Sequence, residues 1–138
     1  MQKFTLIKTI WKGSKMKENR ERIDLSKFRG HRSSLFTGRP QGVNARVELN
    51  LNNKDLDLNL YTIFIPKGTT SINPSFFLGL FYESIKKLGF ESFENKYKFE
   101  FGDNSDRVLN VLKSHIQEGL DYAKNSLKDI NTLKKIFS

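Results

Sequence analysis

Apolar residues recur along this chain at two spacings, every second position and every third or fourth, and the changes between them mark the elements. Phe77, Phe81, Ile85 and Leu88 fall on one face of a helix. Asn73 supplies an oxygen for the free N–H groups at its start, Pro74 fits the first helical position, and Gly89 stops it. Leu60 to Pro66, LYTIFIP, is a short run of β-branched and aromatic residues, which predicts a central strand buried on both faces. Lys96 to Phe101 alternates, with Tyr97, Phe99 and Phe101 inward and Lys96, Lys98 and Glu100 outward. Val108, Leu112, Ile116, Leu120 and Ala123 predict a long amphipathic helix. Ser126 with Asp129 resembles a capping box, which makes Leu127, Ile130, Leu133 and Phe137 the stripe of a separate last helix.

The N-terminal third is less regular. Lys3 to Trp11 suits an opening strand by its length and its β-branched and aromatic content. Lys12 to Ser34 is polar, punctuated by Gly13 and Gly30, and reads as a long basic connection ending in a short strand near Ser34 to Thr37. Gly38, Pro40 and Gly42 mark a turn, and Val43, Arg46, Val47, Asn50 and Leu51 follow at helical spacing, so a helix is expected from about Pro40 to Leu51. Asn52 to Asn59 is a polar loop in which Asp55 and Asp57 are expected to be solvated carboxylates. Strands alternating with helices define an α/β fold, with a small mixed sheet of three to four strands packed by helices. One domain holds three stretches: 1–34, opening strand and basic connection; 35–125, the α/β core; 126–138, the C-terminal amphipathic helix.

Composition narrows the classes of function. The chain has 138 residues, no cysteine and a formal charge of +9. Without cysteine there is no disulfide framework, thiolate metal site or cysteine nucleophile. No run approaches about 18 apolar residues, and MQKFTLIKTIW lacks the continuous apolar core of a signal peptide, so a soluble cytoplasmic protein without a membrane role is expected. The charge is clustered, since Lys12 to Arg46 holds ten basic residues against Glu18, Glu21 and Asp24. Such a surface gathers anionic partners.

Within that stretch Arg29, His31, Arg32, Ser33, Ser34, Thr37, Arg39 and Arg46 combine guanidinium forks with hydroxyls, the donors that suit phosphate and carboxylate oxygens. Gly30, Gly38 and Gly42 would let backbone come close to an anion. Arg39 and Arg46 are two helical turns apart and are expected on one face. Gly68 to Ser75 adds Ser71, Asn73 and Ser75 around a helix N-terminus. The binding residues expected are therefore Arg32, Thr37, Arg39, Gly42, Arg46, Ser71, Asn73 and Ser75. His31 and His115 are the only histidines, which makes no metal site, and His115 borders its helix's apolar stripe. No phosphate-loop motif occurs and no nucleophile has an evident base, so the expectation is a non-catalytic module without cofactor that binds an acidic or phosphorylated partner. The alternative is a binder of nucleic acid or of a small phosphorylated nucleotide signal, with Trp11, Phe28 and Phe36 as stacking candidates.

Two segments, TGRPQGVNARVEL (Thr37 to Leu49) and SINPSFFLGLF (Ser71 to Phe81), together with the order of elements from residue 35 to residue 123, resemble the STAS-like domains, a bacterial group of unknown function related in fold to anti-sigma factor antagonists. The resemblance implies a regulatory protein-binding domain working beside a histidine-kinase-like ATPase. In the antagonists a phosphorylated serine opens the helix after the central strand. Pro74 occupies the matching position here, with Ser71 and Ser75 nearby as the hydroxyls that could replace it.

Overall fold

The computed structural model describes residues 19–30, 33–103 and 105–137. The expected opening strand and residues 12–18 and 31–32 of the basic connection lie outside them. At the centre is β3 (Leu60–Ile65), flanked in parallel by β1 (Arg20–Asp24) and β5 (Tyr97–Phe101). Ile23 pairs with Ile63 and Ile63 with Phe99, so one row of inward side chains crosses all three strands. Tyr61, Ile63 and Ile65 are buried on one face of β3. Leu60, Thr62 and Phe64 are only half-buried on the other, so β3 is central as expected but not sealed on both faces. There the Arg22 guanidinium lies 3.7 Å from the Phe64 ring centroid. β1 falls inside the stretch expected to be a plain connection. As an edge strand it needs only Ile23 on the core, and alternation is too sparse to show it.

A second, two-stranded sheet joins β2 (Leu35–Phe36) to β4 (Ser71–Ile72), again in parallel, with Phe36 opposite Ile72. The fold is thus α/β, its strands divided between two small parallel sheets. Each short strand leads into a helix: β2 into α1 (Arg39–Glu48) and α2 (Leu51–Lys54), β4 into α3 (Pro74–Leu88) and α4 (Phe90–Lys96). The sequence strand, short strand, helix, short helix therefore occurs twice before β5 and the final helix α5 (Asp106–Phe137).

α3 forms where expected. Asn73 accepts from the Ser75 N–H at 2.8 Å, and Gly89, at φ 83°, supplies the left-handed residue that ends it. Phe77, Phe81 and Ile85 are buried against Phe93, Tyr97 and Phe99, with the rings of Phe81 and Phe93 5.1 Å apart. Each fully buried phenylalanine contributes about 1.5–3 kcal/mol from area alone. α1 lies so close to α3 that a Cβ on Gly42 would stand 2.2 Å from the Phe76 carbonyl oxygen, and one on Gly79 2.3 Å from that of Arg39.

Three expected boundaries change. The helix expected to run to Leu51 ends at Glu48; Asn50 adopts a left-handed φ of 55°, and α2 starts afresh at Leu51 and runs into the expected loop. Lys96, expected outward on the strand, closes α4 and is buried. α5 is one helix of 32 residues, about 48 Å long, with no break at Ser126. Leu120, Ala123, Leu127 and Ile130 continue one stripe across that point, and Ser126 instead meets the Tyr82 hydroxyl at 3.1 Å.

Candidate partner-binding site

The basic stretch is not one patch. Arg32 and His31 lie outside the described residues. Arg29 holds the turn after β3, donating from Nη1 to Thr69 Oγ1 at 2.9 Å and to the Lys67 carbonyl at 3.2 Å. Ser33 Oγ accepts from the Leu35 N–H, and Ser34 Oγ accepts from Thr70 Oγ1, so both hydroxyls serve the entry to β2. Phe36 is buried, which removes it from the stacking candidates.

Arg46 is turned inward, against the expectation that it shares an exposed face with Arg39. It is 6% exposed. Its Nη1 donates to the Leu80 carbonyl (2.9 Å) and Ser84 Oγ (2.7 Å), its Nε and Nη2 to Asn52 Oδ1, and its Nη2 to Asp55 Oδ2 (2.6 Å). Asp55 is likewise buried, not solvated. Its Oδ1 accepts from Ser84 Oγ and from the Tyr97 hydroxyl, each at 2.7 Å. Burial, and then the hydrogen bond to this carboxylate, push the Tyr97 phenol far above its ordinary range. Gly42 is buried too, at the crossing with α3, where no anion reaches it.

The remaining five expected residues gather where β2 and β4 end. The Asn73 N–H donates to the Phe36 carbonyl at 2.9 Å, which sets Thr37 beside Asn73 and brings the starts of α1 and α3 together. Thr37, Arg39, Asn73 and Ser75 are exposed on this ridge, and Ser71 is half-buried. The Arg39 guanidinium lies 5.6 Å over the Tyr82 ring and forms no ion pair among the described residues. A cation spread on an aromatic face keeps its N–H edges free for a carboxylate or phosphate. His115 half-faces the core, as its stripe-border position implies, and its Nδ1 accepts from the Ile72 N–H at 3.2 Å. That bond steadies β4 from the side of α5.

A second polar cluster went unread in the sequence. At the far end of the sheet Lys96 Nζ donates to the Asp57 and Asn59 carbonyls and to Asp57 Oδ1, at 2.8, 2.9 and 2.9 Å. Tyr61 donates to Asp57 Oδ2. Burial works to raise the Asp57 carboxyl, but the hydrogen bonds from Tyr61 and Lys96 outweigh it and hold the group below its usual range. The Tyr61 phenol is pushed up to about 12, by burial first and by Asp57 second. These groups fasten the loop before β3 to α4. Their partners are separated by up to 39 residues, beyond any local motif.

The outer face of α1 carries Pro40, Val43, Asn44 and Val47 beside Arg39, around a shallow depression of about 590 Å³. Among the described residues no helix is long and apolar enough to cross a membrane, and no group of three or more His, Asp or Glu is placed to hold a metal ion. Compared with models of protein families, with curated proteins and with solved structures, the chain matches none.

Proposed function

We propose that this chain is a non-catalytic, cytoplasmic regulatory module that binds an acidic or phosphorylated partner at the ridge formed by Thr37, Arg39, Ser71, Asn73 and Ser75. The observation that carries the reading is Arg39, the first residue of α1: an exposed guanidinium without an ion pair among the described residues, laid on Tyr82 of α3. N–H groups at helix starts and an arginine fork both favour oxyanions. The sequence resemblance to STAS-like domains supports a protein partner of the histidine-kinase-like ATPase class. Pro74 fixes the helix start, which leaves Ser75, the residue capped by Asn73, as the exposed hydroxyl there.

The test is a titration with inorganic phosphate and with a phosphoserine peptide, followed through backbone amide resonances. Saturable shifts confined to Thr37–Gln41 and Asn73–Phe76, and lost in Arg39→Ala, support the ridge. Absence of saturable shifts at millimolar phosphate and peptide, or shifts unaltered by Arg39→Ala, would sink it.

A further inference from the structure

Helix α1 is mounted inside out. Its buried face is Gly42, Ala45 and Arg46, while both of its valines point to solvent, Val43 at 46% exposure and Val47 at 70%. Two contacts force this orientation. Gly42 must face Gly79 for the helices to touch backbone to backbone, and Arg46 must face Asp55. The other face needs no apolar residue to hold the fold. Yet Pro40, Val43 and Val47 recur there every three or four residues, a stripe about 10 Å long. A surface helix ordinarily carries such a stripe toward the core.

From this juxtaposition we infer that the outer face of α1 is a docking groove for an acidic amphipathic helix of another protein, its apolar residues on Pro40, Val43 and Val47 and a carboxylate on Arg39. The inference deepens the acidic-partner reading and rests on it for the role of Arg39. Charge selects the occupant. Arg39 borders the stripe at its N-terminal end without an ion pair, whereas Glu48, at the other end, already has Lys27 at 3.7 Å. The chain carries +9, so a second copy would bring a like charge and a second Arg39 to the same groove. A bare phosphate would leave the valines without a role. A helix bearing apolar residues at i, i+4 and i+7 with flanking glutamates satisfies both halves of the surface, and helix-in-groove recognition reads such anchors.

The probe is a synthetic helical peptide with leucines at those spacings and glutamates beside them, titrated into the isotope-labelled full chain. Shifts are expected to gather on Arg39, Val43, Asn44 and Val47. Val47→Asp is expected to weaken binding by about tenfold or more, since it sets an unpaired carboxylate under the peptide's apolar face. Replacing the peptide's glutamates by glutamine is expected to mimic Arg39→Gln. Val47 is mostly exposed, so the variant should melt like the parent, which a thermal scan checks. Shifts that gather elsewhere, binding indifferent to Val47→Asp, or self-association abolished by Val47→Asp each overturn the inference. Phosphate binding on the ridge, measured in the parent chain, separates the two ideas: its absence beside Val47-dependent peptide binding defeats the ridge alone, and its presence beside failed peptide binding by the parent defeats the groove alone.

Discussion

Arg46 and Asp55, nine residues apart in the chain, meet inside the protein at 2.6 Å with their remaining polar atoms taken up by Asn52, Ser84, Tyr97 and the Leu80 carbonyl. The pair joins α1, the segment after α2, α3 and β5 at one point. Arg46→Met should cost about 3–5 kcal/mol, because it takes the nearest counter-charge from a buried carboxylate and leaves it only Lys87 Nζ at 3.8 Å. Chemical denaturation checks this, and a double-mutant cycle with Asp55→Asn should show strong coupling, the second change costing far less after the first. Additive losses would mean that the two do not act as a pair.

The α1–α3 crossing makes a second demand. A methyl group on Gly42 or Gly79 would meet backbone, not a side chain able to swing away. Gly42→Ala and Gly79→Ala should therefore each destabilise by about 1–3 kcal/mol or more, the usual cost of overpacking, although alanine favours helix. Melting temperatures give the answer, and an unchanged value for either would deny the close approach.

What the sequence made legible was local. Asn73, Pro74 and Gly89 act on their own backbone neighbours, and LYTIFIP is apolar enough to declare a central strand, so those elements stand where spacing put them. The misread features depend on partners far along the chain. Arg46 reads as a surface cation until Asp55 and Ser84 are brought to it, and Lys96 until Asp57 is. The facing of α1 is set by one glycine meeting another 37 positions away, and periodicity, which counted Val43 and Val47 with Arg46 on a single face, had no access to that. Of the candidate site, the residues at the helix starts were readable from caps and glycines. Their assembly into one ridge came from the pairing of two-residue strands too short to carry a pattern.

Asp57 and Tyr61 predict opposite limbs of the pH profile. Folding holds the Asp57 carboxyl below its ordinary 3.8, so its contribution is complete above that value and is lost as pH falls through the lower, folded one. The Asp57→Asn variant should show a shallower loss of stability below pH 3.8 than the parent, with a residual slope from Asp24, whose carboxyl is also held low, chiefly by the Ser26 hydroxyl. The Tyr61 phenol moves up, from 10.0 to about 12, so its contribution is complete below pH 10.0 and is lost as pH rises toward about 12. Tyr61→Phe should flatten that alkaline limb. Urea unfolding at stepped pH measures both, and parallel profiles for parent and variants would refute the assignment.

The end of α5 is the last place where packing and sequence part. Leu127 is the last described residue of the helix that packs against the core; beyond it Ile130, Leu133 and Ile136 are 36%, 53% and 66% exposed. A chain ending at Lys128 should thus lose less than about 1 kcal/mol, in the range of surface changes. A chain ending at Ala123 also gives up the packing of Leu127 and the Ser126–Tyr82 hydrogen bond, and should lose about 2 kcal/mol or more. Thermal melts of the two truncations test the difference. If the shorter cut proves as costly as the longer, the terminal turns bear on the domain, and the stripe past Leu127 is part of its core.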